Sequence, residues 1–397
     1  MKDPAMLSRR QLLERTSMLA LTPALQVALG ADPALGRARD GRILVVVQLD
    51  GGNDGLNTVV PWSDELYRRF RPKLALPPEK VLKLSDTLAL HPALTGFAQL
   101  HEQSRLAIVQ GVGYPDASRS HDVSELVWQT ARLEREEQRG HGWLGRAFDA
   151  APPPPRGVPT FVLAGNEPAP RAILARRAVC ATMNRLDEYA GADFGALDGP
   201  SEGDGSEAFV RRTALEARST VERLQGLARL DGGAKYPPSE LARRLELVAH
   251  LIKAGLETPV FYVLQGGYDT HYLQAEAHAG LLGTLGNALA AFLADLAASR
   301  LSERVLVLVS SEFGRRVEEN ASLGTDHGAG APMFLAGAGL VPGLHGSAPC
   351  LDDLLDGDVR PTLDFRCVYA AVLERWLGLP SRAALGSEFT PFDCLRS

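Results

Sequence analysis

Five short stretches of the sequence carry side chains that hold metal ions or act on esters, and four of them follow an apolar run. Asp50 follows residues 43–49, in Asp50-Gly51-Gly52-Asn53-Asp54-Gly55. Ser118, Ser120 and His121 follow residues 106–110. Asp269 and His271, in Gly266-Gly267-Tyr268-Asp269-Thr270-His271, follow a run ending near Leu264. Glu312, in Ser310-Ser311-Glu312-Phe313-Gly314-Arg315, follows residues 305–309, and Asp326 and His327 come shortly after in Gly324-Thr325-Asp326-His327-Gly328. Carboxylate, hydroxyl and imidazole together suit hard or borderline divalent ions, not a thiolate-loving one. One or two ions of Zn²⁺, Mn²⁺, Mg²⁺ or Ca²⁺ are expected. The neighbouring glycines let the backbone turn sharply and approach a ligand. Alone, Asp50 reads equally well as a turn or helix cap, and His271 or His327 as structural. Their convergence is the signal.

Ser120 stands where an N-cap serine would, before a helix expected over 123–135. The same position favours a bound anion, because a helix N-terminus attracts negative charge. A metal beside the hydroxyl would make it a nucleophile. Nucleophile, cap and metal ligand all remain open for Ser120, with Ser118 as the other candidate nucleophile. The catalytic candidates are thus Ser120, His121 and Arg315. Arg315 and Arg119 have the forked geometry that grips an oxyanion, although arginines of this kind are more often at the surface. Asn53, Arg119 and His141 form the expected substrate-facing set. His91, His101, His250, His278 and His345 carry no supporting context and read as surface or core.

These residues need a scaffold that brings strand ends together. Residues 43–49 form a continuous apolar, β-branched run, as a strand buried on both faces requires. Further strands are expected at 106–110, 160–163, 260–264, 305–309 and 333–335, with helices at 123–135, 207–230, 239–253 and 273–298. Alternating strands and helices predict a mainly parallel central sheet sandwiched by helices, of the α/β class. Ligands of open α/β sheets sit at the carboxyl ends of the strands, which is where the polar clusters fall. Residues 195–206, rich in Gly, Asp and Ser, read as a surface loop.

The first forty residues read differently. Ser8-Arg9-Arg10-Gln11-Leu12-Leu13 precedes a modest apolar stretch to Gly30, broken by Pro23 and Gln26. This order matches a twin-arginine export signal and is too short for a stable membrane span. The expected organisation is a leader and linker over 1–40 and one domain over 41–397, periplasmic or secreted. The chain has 397 residues, 45% of them hydrophobic, and a net charge of −6. That is enough to bury a large core, and it leaves no global basic footprint for nucleic acid. Cys180, Cys350, Cys367 and Cys394 form no CxxC pair. An exported chain would permit one disulfide, with Cys367–Cys394 the candidate.

Together the motifs resemble a bacterial family known as domain of unknown function family 1501. The matching stretches are 49–55, Ser118-Arg119-Ser120-His121, Gly142-Trp143-Leu144-Gly145-Arg146, Tyr268-Asp269-Thr270-His271, 311–315, 324–328 and Asp364-Phe365-Arg366. The family's members carry a twin-arginine leader and fall in the alkaline-phosphatase and sulfatase-like superfamily. The resemblance implies two metals around a nucleophile acting on phosphate or sulfate esters. By position, Asp50, Ser120 and Glu312 would hold one metal, and Asp269, His271 and His327 the other. Asp326 would bind either metal or orient His327. Three departures stand against a simple transfer. Glu312-Phe313 replaces the usual Asp-His, so one imidazole is missing. The spacing from Asp269 to His271 is short. No Cys-x-Pro-x-Arg motif exists, which closes the formylglycine route. The expected function is an exported metal-dependent hydrolase of a small anionic ester or glycan-type substrate. The alternative is an inactive metal- or anion-binding or assembly protein of the same fold, paired with another exported protein.

Overall fold

A computed structural model of the chain describes residues 41–155, 157–185, 215, 218–223 and 234–396. The leader and linker over 1–40, the loop at 195–206 and most of the helix expected at 207–230 lie outside these residues. The main sheet contains nine strands: β1 Ile43–Leu49, β2 Leu106–Gly113, β3 Phe161–Ala164, β4 Cys180–Met183, β5 Val260–Gln265, β6 Val305–Ser311, β7 Ala331–Gly337, β8 Gly343–His345 and β9 Leu363–Asp364. Their order is β8-β2-β7-β6-β1-β5-β3-β4, with β9 pairing β2. Every pairing is parallel except the two made by β7, which runs antiparallel to both β2 and β6. The expected mainly parallel α/β sheet is therefore what the chain forms. β4, β8 and β9 are additions too short to stand out as apolar runs.

All seven residues of β1 are buried. Its side chains alternate between two cores, as the twofold period of a strand demands. Ile43, Val45, Val47 and Leu49 face one side, with Phe97, Leu245, Val248, Leu289 and Phe292. Leu44 and Val46 face the other, with Trp128, Trp143, Phe365 and Tyr369. The first side is covered by α1 Thr95–Glu102, α4 Glu240–Lys253 and α5 Gln274–Ala298, the second by α2 His121–Thr130, α3 Trp143–Asp149 and α6 Phe365–Ala371. Fully burying one such aliphatic or aromatic side chain stabilises a fold by roughly 1.5–3 kcal/mol, so both faces are held strongly. By length and composition α5 is apolar enough to cross a membrane. Here it packs on α1 and α4 as a core helix.

Register aligns the strand ends. Leu49 of β1 sits opposite Ser311 of β6 and Gln265 of β5. The next residues, Asp50, Glu312 and Gly266, therefore emerge side by side at the carboxyl edge. The antiparallel β7 starts at this same edge, so the loop before it, carrying Asp326 and His327, reaches the cluster from the entering side. The chain after β6 and the chain before β7 zip together through Gly314 N–H to Ala329 O, Gly328 N–H to Gly314 O and Arg316 N–H to Asp326 O at 2.8–3.0 Å.

α2 begins at His121, two residues before the expected start, and ends at Thr130, where Ala131 takes a left-handed conformation (φ 53°). All four cysteines are free thiols, so the Cys367–Cys394 bridge that export would permit is not formed.

Candidate metal centre

Asp269 Oδ1 is the meeting point. His271 Nε2 lies 3.0 Å from it, His327 Nε2 3.1 Å and His121 Nε2 3.5 Å. Each imidazole is gripped from behind at Nδ1. His121 Nδ1 is 2.8 Å from Glu312 Oε1, His271 Nδ1 is 3.2 Å from Asp326 Oδ1, and His327 Nδ1 is 2.7 Å from the Arg119 carbonyl oxygen. A carbonyl or carboxylate can only accept, so each Nδ1 carries the proton that is donated. In a neutral imidazole this leaves Nε2 as a lone pair. Three lone pairs thus face one carboxylate oxygen, an arrangement that a shared cation resolves. His121 Nε2 is buried and has no hydrogen-bond partner. Among the described residues, His121, Asp269 and His327 form a group whose ligand atoms all lie within 4.8 Å of one another. Nitrogen and oxygen donors of this type, each with an outer hydrogen bond that fixes its tautomer, fit a divalent metal.

Local structure explains the convergence. The turn after β1 passes so close to the neighbouring loop that a Cβ on Gly51 (φ 118°) would lie 2.4 Å from Asp269 N. A Cβ on Gly52 (φ 76°) would lie 2.2 Å from the Phe313 ring. That ring is a shelf for the imidazoles of His121 and His327, with centroids 4.9 and 4.8 Å away. Phe313, where the resemblance implies a missing imidazole, supports two imidazoles instead.

The expected site residues sort into five groups. Asp269, His271 and His327 come together as the resemblance implies, and His121, expected as a catalytic group, joins them as a candidate ligand. Glu312 and Asp326 hold imidazoles rather than facing the centre with a free carboxylate. Asp326 orients His271, not His327. Glu312 is buried, and its carboxylate also accepts Gly51 N–H at 2.9 Å and the Ser311 hydroxyl at 3.0 Å. Asp50 borders the cluster. Its carboxyl is raised above the usual range, first by burial and then by the charges of Glu312 and Asp269, with His121 acting in the opposite sense. Ser120 lies between Arg119, whose carbonyl holds His327, and His121. Its position is the N-cap of α2, but its hydroxyl makes no capping hydrogen bond, so the cap reading fails. Ser118 Oγ instead accepts the Ser120 N–H at 3.2 Å.

Arg315, Arg119, Asn53 and His141 do not sit as expected. Arg315 is buried and spends its donors on Gly52 O (2.7 Å), Thr325 O (2.8 Å), Tyr268 O (3.0 Å), Gly51 O and Asp269 Oδ1 (2.7 Å). It ties its own segment to three others, at 51–52, 268–269 and 325, and has no fork left for a substrate. Burial opposes charge on Asp269, but the hydrogen bond from Arg315 and the charge of its guanidinium prevail and hold the carboxyl down at about 2. Arg119 is paired with Asp358 Oδ2 at 2.7 and 2.9 Å. Asn53 is buried, and its Oδ1 accepts from Thr58 and His278. His141 lies among Arg146, Asp149, Arg171 and Arg176, away from the cluster.

The profile of a family described as "Protein of unknown function (DUF1501)" matches residues 42–353. The chain belongs to this family. All the candidate ligands and both histidine-holding carboxylates fall inside the matched region. No curated protein matches the chain. Solved structures that it resembles include an alkaline phosphatase superfamily protein from Vibrio parahaemolyticus, at 8% identity and a TM-score of 0.42, covering 96% of this chain and 78% of that one. A sulfatase from Pseudoalteromonas sp. is similar at 10% identity and a TM-score of 0.40, over 90% of this chain and 74% of its own. The C-terminal periplasmic domain of EcEptC from Escherichia coli, in complex with Zn, is similar at 10% identity and a TM-score of 0.38, over 77% of each chain.

Proposed function

We propose that the chain is an exported metal-dependent hydrolase or transferase acting on phosphate or sulfate esters. The observation that carries this reading is the set of three Nε2 atoms turned toward Asp269, each imidazole locked from behind. His121, His271, His327 and Asp269 would hold the ion, with Glu312, Asp326 and the Arg119 carbonyl fixing the imidazole planes. A divalent cation there supplies Lewis acidity toward an ester oxygen and lowers the pKa of a nearby hydroxyl. Ser120 is the nucleophile: its hydroxyl is free of capping duty and sits at the N-terminus of α2, where developing negative charge is favoured. Attack of Ser120 Oγ on the phosphorus or sulfur breaks the bond to the ester oxygen, which leaves as an alcohol or phenol. The seryl ester is then cleared by water or a second alcohol, which takes the phosphoryl or sulfuryl group and restores the hydroxyl. Asp50 borders the open side and orients the incoming group. Export rests on the arginine pair and apolar stretch of the leader.

The test is protein loaded with Zn²⁺ or Mn²⁺ against panels of aryl phosphates, phosphodiesters and sulfates, beside Ser120→Ala. The variant is expected to keep its metal and lose turnover. Equal turnover by the variant would remove Ser120 from the mechanism.

One observation favours a binding protein without catalysis: Arg315 is buried with its donors spent inside the fold, and the exposed Arg119 is paired with Asp358, so neither fork is turned to a substrate anion. Bound metal with no turnover across the whole panel would select that reading.

A further inference from the structure

Four large apolar side chains are left exposed among the described residues: Tyr272 (69%), Leu273 (50%), Leu323 (40%) and Leu355 (37%). Scattered single leucines on a surface need no explanation. These four are not scattered. Tyr272 and Leu273 directly follow the candidate ligand His271. Leu323 lies on the loop that leads into Asp326 and His327. The two segments are stitched together by Leu273 N–H to Ser322 O (3.0 Å), Gln274 N–H to Leu323 O (2.9 Å) and Asn320 Nδ2 to His271 O (3.0 Å). Leu355 lies in the small hairpin of Leu354–Leu355 and Asp358–Val359. Arg119, whose carbonyl holds His327, clamps that hairpin through Asp358 and the Asp356 carbonyl. Three of the four therefore stand on the loops that carry candidate ligands, and the fourth is linked to the centre through Arg119.

Two of them are also held awkwardly. Leu273 has φ 44° and ψ 47°, and Leu323 has φ 59°. Glycine or asparagine takes this left-handed region readily, and leucine rarely does. Leucine here strains the backbone and leaves apolar surface in water, two costs that a ligand contact would offset.

We propose that this rim receives the apolar part of an amphiphilic ester, an alkyl chain or aryl ring on an anionic headgroup, while the headgroup sits at the histidine cluster. The inference rests on the ester-binding reading of that cluster. His271 and Tyr272 are adjacent, about 3.8 Å apart along the backbone, so a headgroup held by one leaves its tail within reach of the other. Three of the four side chains are aliphatic and offer nothing to sugar hydroxyls. That favours a hydrocarbon over a glycan.

The test is calorimetric binding of ethyl, butyl, hexyl and octyl phosphate, as monomers, to zinc-loaded full-length protein. Each buried methylene tightens binding by about twofold when half covered and about fourfold when fully covered. The expected result is an affinity that climbs steadily with chain length. In a Tyr272→Ser, Leu273→Asn, Leu323→Asn triple variant the slope of log Kd against chain length is expected to flatten. Leu273→Asn alone is expected to melt at the same or a higher temperature, because asparagine fits the left-handed backbone, so loss of slope cannot be assigned to unfolding. A flat series, no binding of octyl phosphate, an unchanged slope in the triple variant, or tighter binding of sugar phosphates than of octyl phosphate would each overturn the proposal. Turnover separates the two readings. Esters cleaved with no dependence on chain length would leave the hydrolase standing and remove the rim. Length-dependent binding with no cleavage of any ester would do the reverse.

Discussion

His271 Nε2 and His327 Nε2 stand 2.8 Å apart, although the two residues lie 56 positions apart in the chain. Each ring is committed at its other nitrogen, to the Asp326 carboxylate and the Arg119 carbonyl. Two neutral imidazoles so anchored present lone pairs to each other and to Asp269. Either one ring carries a second proton, or a cation is shared. A carboxylate or carbonyl behind a histidine is the usual support of a metal ligand, which favours the shared cation that we propose.

The first prediction follows from that support. Wild-type protein is expected to bind at least one divalent ion per chain, and Asp269→Asn or His327→Ala to lose it. Glu312→Gln is expected to weaken metal affinity by about 10- to 100-fold, since it removes the negative charge behind His121 and leaves the ligand atoms in place. Metal content by mass spectrometry and affinity by calorimetry read both effects. Unchanged affinity in Glu312→Gln would show that His121 is not a ligand.

Arg315 carries a second prediction. Arg315→Ala would strand the carbonyls of Gly51, Gly52, Tyr268 and Thr325 in a buried place and remove the partner of Asp269. The expected cost is about 3–5 kcal/mol, as for breaking a buried charged network. Arg315→Lys is expected to recover only part of it, because an ammonium cannot bridge several segments in the plane of a guanidinium. Urea unfolding measures both variants. A midpoint within error of wild type for Arg315→Ala would mean that the guanidinium is a free anion clamp after all.

The buried runs of β1, β2, β5 and β6 were legible because a strand covered on both faces must be mostly apolar: within them only Gln48 and Gln110 break the pattern, and Gln265, Ser310 and Ser311 fall at the carboxyl ends. The polar residues just past those runs were legible for the same reason: they mark where burial ends. What the sequence does not display is side-chain direction. Whether His121 and Ser120 at the start of α2 act as proton carrier, ligand or nucleophile depends on a rotation about the helix axis, which only packing sets. In the sequence Arg315 reads as an anion grip or a surface arginine, not as a buried tie, because its partners are backbone carbonyls from 51, 52, 268 and 325, and carbonyls have no sequence signature. Phe313 reads as a lost ligand, and only the facing rings show it to be a shelf. The exposed pair Tyr272-Leu273 passes unnoticed because left-handed backbone at a leucine has no motif.

A third prediction concerns the buried pair beneath the turn after β1. Arg71 Nη1 lies 2.6 Å from Asp54 Oδ2, both side chains fully inaccessible. Gln274 also donates to that carboxylate, and its Oε1 accepts the Thr325 hydroxyl at 2.6 Å. Burial alone would raise the Asp54 carboxyl, but Arg71 outweighs it and the group is held below the ordinary range. Asp54→Asn leaves a buried guanidinium without its countercharge. About 3–5 kcal/mol of destabilisation is expected in urea unfolding. Arg71→Met with Asp54→Leu is expected to cost much less than either single change, since an apolar pair of similar volume avoids the stranded charge.

The last prediction is the direction of the acid limb. His278 is buried on α5, with Nε2 2.9 Å from Asn53 Oδ1, and the His91 ring lies beside it with centroids 6.1 Å apart. Burial pushes both imidazoles down to about 4, and for His278 the charge of Asp54 opposes the shift without cancelling it. In the unfolded chain they titrate near 6.5. Between pH 6.5 and 4 the unfolded state therefore binds protons that the native state refuses. Stability is flat with respect to these two groups above pH 6.5 and falls as pH drops toward 4. For His278 the loss by pH 4 is roughly 3 kcal/mol. The depressed Asp54 carboxyl contributes a separate loss only below its ordinary value near 3.8, so the two effects occupy different pH windows. His278→Gln keeps an N–H for Asn53 and cannot titrate. Its urea midpoint is expected to depend less steeply on pH between 6.5 and 4 than that of wild type, with the two curves parallel above 6.5. An undiminished slope would mean that His278 takes up its proton inside the fold, and that the packing of α5 against the turn at Asn53 is open to water.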